Sequence, residues 1–232
     1  VYYEEGICES VCQLDLPVPN VYGVEIVENR LGIIFDRVSG ISYLEYIKNN
    51  PMEVGDVGKK MAQIQFDLHK KTPTNSLPKQ KDRIIEKIDN SKDLTEVKKD
   101  KLKKYLDRLP NGVSLCHSDF HPDNILLSDD GPRVIDWMDT CIGHPHGDVA
   151  KSILLMSIGV PANVNFFIMI LLNFGRKRLV KEYIKHYCSI SGANKKDIYK
   201  WYPIIAASRL IDKQSGEEKA LLKIVDGLIS TI

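Results

Sequence analysis

The stretch that decides the fold is CHSDFHPDNILLSDDGPRVIDW, residues Cys116 to Trp137. It holds two histidines, five aspartates and one asparagine, interrupted by the apolar run at 125–127 and followed by VIDW at 134–137. These two segments predict short strands, and the Asp-Asp-Gly at 129–131 predicts the turn that joins them in a hairpin. Such a hairpin brings Asp136 back beside the loop that carries Asp119 and Asn124.

Asp119, Asn124 and Asp136 have the side chains that phosphoryl transfer requires. The reaction needs a carboxylate that orients the attacking hydroxyl and accepts its proton. It also needs an amide oxygen and a second carboxylate to hold magnesium on the phosphates. The spacing His-x-Asp-x-x-x-x-Asn from His117 is that of a kinase catalytic loop, and VIDW stands where protein kinases carry Asp-Phe-Gly.

Longer segments extend this agreement beyond one short motif, which by itself recurs by chance. The stretch through PHGDVA at 145–150 resembles the aminoglycoside phosphotransferase and choline kinase-like family. LPVPNVYGV at 16–24 and IIFDRVSG at 33–40 resemble the family's approach to its hinge and the hinge itself, and DLHKKTP at 67–73 resembles its Leu-His helix end. The resemblance covers most of residues 5 to 150.

The resemblance implies an α+β fold of the protein kinase-like type. Residues 1–38 would form part of a small nucleotide lobe with a helix, a hairpin and the hinge. Residues 39–232 would form a large, mainly helical lobe for catalysis and substrate binding. The implied reaction is transfer of the γ-phosphoryl group of ATP, or of GTP as the alternative, to a hydroxyl of a small molecule such as an aminoglycoside or a metabolite.

The resemblance also implies a role for individual residues. Asp119 would be the catalytic aspartate, and Asn124 and Asp136 would bind Mg²⁺. The hinge backbone at Phe35, Asp36 and Val38 would contact the adenine. His117 and Asp148 would brace the catalytic loop, and His121 and Asp139 are candidate substrate contacts.

One departure from the family concerns the nucleotide lid. The family covers ATP with a glycine-rich hairpin, and a strand lysine pairs with a helix glutamate. Glu5 stands where that glutamate is expected, but no residue before it can be the lysine. We expect the missing part to lie upstream of Val1 in the native protein, and we expect residues 1–232 alone to bind ATP weakly. A chain that cannot hold the triphosphate is the alternative.

Hydrophobic periodicity and proline positions predict further elements. We expect a helix from Glu4 to Leu16, followed by an antiparallel hairpin whose second strand, 31–35, is buried on both faces. Asn50 to Glu53 has the pattern of a capped helix start, and that helix should end near His69. Two amphipathic helices are expected within 79–109, and helices fill the chain after Asp148.

Composition restricts the partners. The formal net charge of the 232 residues is +1, which gives no general attraction to nucleic acid or to an anionic membrane. The five scattered cysteines fit free thiols in a reducing cytoplasm.

The apolar run Phe166 to Leu172 is too short to cross a bilayer and predicts a buried helix. The expected partners are a nucleotide and a small alcohol, with the oligomeric state left open.

Two other functions compete with this hypothesis. A zinc hydrolase could use His117, Asp119 and His121, joined by His144 and His146. That reading leaves Asn124 and the hinge unexplained. A kinase-like protein that binds nucleotide without catalysis would account for the absent lysine, but all three chemical positions are intact.

The acceptor is open as well. Lysine-rich helices at 176–185 and 195–200 argue against polycationic antibiotics without excluding them. A cage for a quaternary ammonium group would need exposed aromatic rings. The aromatic candidates, which fit core packing better, are Trp137, Tyr183, Tyr187, Trp201 and Tyr202.

Overall fold

The computed structural model describes residues 1–73, 77–158 and 166–232. The predicted α+β class is confirmed, with short antiparallel sheets and helices up to Gly143 and helices alone in the described residues after it. No helix within the described residues is both long enough and apolar enough to cross a membrane.

The first elements are the helix α1, Tyr2–Cys12, and the antiparallel strands β1, Val21–Val27, and β2, Arg30–Phe35. The helix ends four residues earlier than the expected Leu16, and Asp15 has a left-handed φ of 52°. Glu28 and Asn29 form the two-residue hairpin turn, with φ of 50° and 60°. Turns of this kind match the right-handed twist of a hairpin.

The expectation that β2 is buried on both faces is wrong. Leu31 and Phe35 are 38% and 40% exposed. Within the described residues this sheet has two strands, and α1 is the element that packs against it, through Ile7, Cys8 and Val11. A pair of strands covered by one helix leaves apolar side chains in contact with solvent.

The larger part of the chain begins with β3, Ile41–Ser42, and α2, Tyr43–Asn49, which leads through a short 3-10 turn into α3, Val54–His69. The capping box predicted at Asn50 and Glu53 is wrong. The Asn50 amide donates to the Tyr46 carbonyl at 3.1 Å, and the Tyr46 hydroxyl donates to Glu53 at 2.6 Å. Both side chains are therefore hydrogen-bonded to Tyr46 of α2, a helix that was not predicted from the sequence. The end of α3 at His69 is as predicted.

The helices α4, Gln80–Asn90, and α5, Glu96–Arg108, confirm the amphipathic pair. Four more follow the central strands: α6, Pro145–Ser157; α7, Phe166–Ser191; α8, Lys195–Arg209; and α9, Glu218–Ile229. The packing of α3 on α7 is close, since a Cβ on Gly58 would lie 2.7 Å from the Leu179 carbonyl oxygen. The predicted burial of the run Phe166 to Leu172 concerns mostly side chains that the structure does not describe. Ile170, which is described, is 50% exposed.

The central strands position the loop of interest. They are β4, Ser114–Cys116; β5, Ile125–Ser128; β6, Gly131–Val134; and β7, Cys141–Gly143. The predicted hairpin forms, with Asp129 and Asp130 between the paired Ser128 and Gly131, but its second strand is Gly131–Val134 and not the predicted 134–137. β3 pairs with β5, and β4 pairs with β7. The segment 117–124 thus connects two different sheets.

Candidate active site

The loop 117–124 is held at its start by Asp148, in the first turn of α6. The Asp148 carboxylate accepts the backbone N–H of His117 at 3.2 Å and of Ser118 at 2.7 Å. It also accepts Gln65 Nε2 at 2.8 Å and His69 Nε2 at 3.0 Å. Burial raises the pKa of Asp148, but the hydrogen bonds from His69 and Gln65 lower it below its ordinary value. An ionised, fully buried carboxylate therefore fixes two consecutive peptide groups of the loop.

His117 connects the loop to the end of β6. Its Nδ1 accepts the Asp119 N–H at 3.2 Å, and its Nε2 donates to the Ile135 carbonyl at 3.0 Å. The ring lies 4.5 Å from the Trp137 ring, centroid to centroid. Burial lowers the pKa of His117 despite the nearby carboxylates, so the ring is neutral at neutral pH, with its proton on Nε2.

Asp119 and Asn124 are in direct contact. The Asn124 amide nitrogen donates to the Asp119 carboxylate and to its backbone carbonyl, both at 3.0 Å. His121 Nε2 lies 3.5 Å from the same carboxylate. Burial raises the pKa of Asp119, but the hydrogen bond from His121 and the charge of Lys151 outweigh it and lower the pKa to about 2. Asp119 is thus ionised at any physiological pH.

Asp136 follows β6 in a left-handed conformation, with φ of 62°. The Ile135 N–H donates to the Asn124 carbonyl at 3.0 Å, so the residue before Asp136 is bonded to the end of the loop. Asp136 is exposed, and its carboxylate forms no hydrogen bond or ion pair within residues 1–73, 77–158 and 166–232. It lines a cleft of about 370 Å³ together with Phe35, Asp36 and Val38. The predicted hinge residues and Asp136 therefore share one cavity.

The free oxygens of this site suit a hard divalent cation. The Asn124 nitrogen is committed to Asp119, and its amide oxygen has no partner among the described residues. The Asp136 carboxylate is equally unengaged. Amide and carboxylate oxygens are ligands that Mg²⁺ binds in phosphoryl-transfer sites. These two residues fit the predicted ion.

The histidines of the competing zinc site are not brought together. Both ring nitrogens of His117 are engaged, and His144 Nδ1 accepts the His146 N–H at 3.1 Å as the cap of α6. In the described part of the chain, the one group with metal-ligand spacing is His69, Cys116 and Asp148. These side chains are buried, and His69 and Asp148 are already hydrogen-bonded to each other.

Three of the predicted residues make side-chain contacts that the sequence did not indicate. Glu5 faces β1, with its carboxylate 3.9 Å from where a Cβ on Gly23 would be, and its neighbour Glu4 lines the cleft of Asp136 instead. The Asp36 carboxylate accepts the Tyr22 hydroxyl at 2.6 Å and so braces the hairpin. Asp139 pairs with Lys151 at 2.8 Å, with Lys87 at 3.5 Å and with Arg83 at 3.7 Å.

A second cleft, of about 450 Å³, opens on the other side of the loop. Asp119 and His121 line it, whereas Asp139 is not among its lining residues. Sequence reasoning missed its far wall, because the residues there come from helices without a recognised motif. That wall includes Arg176, Arg209 and Glu217.

The aromatic residues considered for a cation cage are largely in the core. Trp137, Tyr183, Tyr187 and Trp201 are each no more than 5% exposed. None of them lines the cleft beside Asp119.

The site thus combines an HxDxxxxN loop with two clefts, one lined by Asp136 and the hinge residues and the other by Asp119 and His121, as expected of a kinase-like small-molecule phosphotransferase. A sequence model of the phosphotransferase enzyme family (APH) matches residues 3–183. The chain belongs to this family, which confirms the function expected from the motifs: ATP-dependent phosphoryl transfer to a small molecule. No curated protein sequence matches the chain.

Solved structures show the same fold at low sequence identity. A thermostable mutant of aminoglycoside phosphotransferase APH(4)-Ia has a TM-score of 0.66 at 15% identity, over 99% of this chain and 83% of that one. Amicoumacin kinase hAmiN, solved with AMP-PNP, Ca²⁺ and Ami, has a TM-score of 0.61 at 13% identity, over 96% and 75%. A choline/ethanolamine kinase family protein from Mesorhizobium loti has a TM-score of 0.52 at 13% identity, over 95% and 74%.

Proposed function

We propose that the chain transfers the γ-phosphoryl group of ATP to a small-molecule hydroxyl bound at Asp119. One observation supports this most strongly. Asp136 lines one cleft with the hinge residues, which we assign to the nucleotide and call the nucleotide cleft. Asp119 lines the second, which we assign to the acceptor and call the acceptor cleft. The His117 ring is hydrogen-bonded to the Asp119 N–H and to the carbonyl of Ile135, next to Asp136. Donor and acceptor would then meet at one rigid loop.

Asp119 would orient the acceptor hydroxyl and receive its proton. With a pKa of about 2 it is a weak base, so its main contribution is alignment of the oxygen, with proton transfer late in the reaction. Its hydrogen bond from Asn124 holds the carboxylate in one rotamer. His117 and Asp148 would act as braces of the loop and touch no substrate.

Asn124 and Asp136 would hold Mg²⁺, which neutralises phosphate charge when bound. The hinge around Phe35 to Val38 would carry the adenine. Residues 1–38 would then act as the nucleotide lobe and residues 39–232 as the catalytic lobe. In this assignment Glu4, which lines the nucleotide cleft, replaces Glu5 as the carboxylate of α1 nearest the nucleotide.

The test is phosphate transfer from ATP to a panel of small hydroxyl compounds. Asp119→Asn should lower kcat by about 10²-fold or more, because it removes the proton acceptor and the charge that aligns the hydroxyl. Circular dichroism and the unfolding midpoint should stay close to those of the original protein. Asp130→Asn, at the tip of the β5–β6 hairpin, is the matched control and should leave kcat unchanged. Full turnover by Asp119→Asn would refute the proposal.

A further inference from the structure

A basic groove of about 740 Å³ runs between α7, α8 and the end of α6. Lys177, Lys181 and Lys185 line it from α7, and Lys195 lines it from the start of α8. Because the three α7 lysines are spaced by four residues, they lie on one face of the helix. No acidic side chain is among the residues that line the groove.

These lysines are not consumed by ion pairs. Within the described residues, Lys177, Lys181 and Lys185 form no salt bridge. Glu182 on the same helix is turned away, with its side chain packed beside Gly55 of α3. A row of like charges on a concave surface attracts anions, since no internal carboxylate offsets it.

The groove continues into the acceptor cleft. Arg176 lines both cavities, and the consecutive residues Ser157 and Ile158 line one each. Among the acids of the acceptor cleft, Glu217 forms an ion pair with Arg209 at 3.2 Å and accepts a hydrogen bond from the Gln214 N–H at 3.0 Å. Asp123 accepts the Ser42 hydroxyl at 2.8 Å. Asp119 is left as the carboxylate assigned to the substrate hydroxyl.

The charge of the combined surface opposes a polycation. Six basic and three acidic side chains line the two cavities together, counted over the described residues. The three acids and Arg209 line the cleft at the loop, whereas the lysines line the groove along α7 and at the start of α8. A molecule that spans both cavities therefore meets Asp119 at one end and ammonium groups at the other.

We propose that the phosphoryl acceptor is an anionic alcohol: its hydroxyl binds at Asp119 and its carboxylate or phosphate group binds the basic groove along α7. This rests on the proposed function. The acceptor oxygen forms a bond to the γ-phosphorus while the bond to the β,γ-bridging oxygen breaks. The hydroxyl proton passes to Asp119, and ADP leaves.

The test uses alcohols that differ only in charge, in two sizes. The first set is glycerol, glycerate, glycerol 3-phosphate and 3-amino-1,2-propanediol. The second is glucose, gluconate, glucose 6-phosphate and glucosamine. Binding is measured by calorimetry and phosphate transfer is measured separately. We expect an anionic member of at least one set to bind and react better than the neutral and cationic members of that set. Comparison of the carboxylate with the phosphate within a set shows which anionic group the groove prefers.

The double variant Lys177→Gln with Lys181→Gln should raise the KM and Kd of that anionic acceptor by roughly tenfold, equivalent to one charge-assisted hydrogen bond. The kcat and the KM for ATP should not change. The control pair Lys104→Gln with Lys219→Gln removes equal charge outside the groove and should change neither constant. Equal or better binding of the neutral and cationic members, or an unaffected double variant, overturns the inference. Anionic alcohols that bind through the lysines without being phosphorylated refute the proposed function instead.

Discussion

At the scale of single residues, the most consequential side chain is Asp148, which never reaches a substrate. One buried carboxylate accepts two loop N–H groups and two side-chain donors. An asparagine at position 148 would offer one acceptor oxygen in place of two. Its N–H₂ group would face donors that the carboxylate now accepts. Asp148→Asn should therefore lower the free energy of unfolding by about 3 to 5 kcal/mol and reduce kcat.

Urea unfolding and steady-state kinetics measure the two effects of Asp148→Asn. Asp82→Asn is the control, since Asp82 is exposed and its carboxylate forms no hydrogen bond or ion pair with the described residues. Both its stability and its kcat should match those of the original protein. If Asp148→Asn had wild-type stability, the carboxylate would not anchor the loop.

Residue identities were predictable where the motif is local. Asp119 and Asn124 are separated by one loop, so sequence spacing alone brings them together. Glu4 and Glu5 show the limit, because neighbouring helical residues differ by about 100° around the axis and only packing decides which one faces the cleft. Lys151 was missed for another reason: its influence on the pKa of Asp119 acts through space from α6.

At the scale of elements, the contact of α3 with α7 depends on Gly58. A methyl group there would lie 2.7 Å from the Leu179 carbonyl oxygen, so the two helices would have to separate. Gly58→Ala should cost about 1 to 3 kcal/mol of stability, measured by denaturant unfolding. Gly175→Ala in α7 is the matched control, since nothing lies within 4 Å of its added Cβ. Gly175→Ala should gain up to about 1 kcal/mol of stability from the better helix propensity of alanine. A similar gain in stability for Gly58→Ala would contradict the close packing of α3 on α7.

The cap of α6 should make stability depend on pH. His144 Nδ1 accepts the His146 N–H, and burial, with smaller effects from neighbouring His146, lowers the pKa of His144 to about 4. The unfolded chain, with an ordinary histidine pKa of about 6.5, takes up the proton first as the pH falls. This contribution to stability is therefore complete above about pH 6.5 and is lost between there and about pH 4.

His144→Asn tests the cap, because Asn keeps a capping acceptor and does not titrate. Unfolding midpoints recorded from pH 7 to pH 4 should fall less steeply for the variant. Parallel curves for the two proteins would show that His144 does not carry this dependence.

The elements that sequence reasoning missed depend on tertiary contacts. The seven-residue α2 is too short to be stable alone. Ser42 both caps it, by accepting the Glu45 N–H, and donates to Asp123 within the loop 117–124. The β5–β6 hairpin, in contrast, was predictable because its turn residues specify it locally.

At the scale of the whole molecule, the two clefts allow the proposed metal ligand, Asp136, and the proposed hydroxyl-binding residue, Asp119, to be tested by separate mutations. Asp136→Asn should abolish the extra thermal stabilisation that Mg²⁺ adds to ADP or ATP binding, because it removes the anionic ligand. The fold should be unaffected, since the Asp136 carboxylate has no partner in the described part of the chain.

Melting temperatures with nucleotide, with and without Mg²⁺, distinguish these effects. Without the ion, the variant and the original protein should shift alike, which serves as the internal control. An undiminished Mg²⁺ effect in the variant would exclude Asp136 as a ligand.

The position of Trp137 gives the protein a built-in optical reporter. The chain has two tryptophans. Trp137 lines the cleft proposed for the nucleotide and packs on the His117 ring, whereas Trp201 does not line that cleft and lies among the helices beside His144. The intrinsic fluorescence of Trp137 will therefore change when the cleft fills, against a steady background from Trp201. Nucleotide occupancy can be followed in real time without a label, and a Trp137→Phe protein supplies the blank.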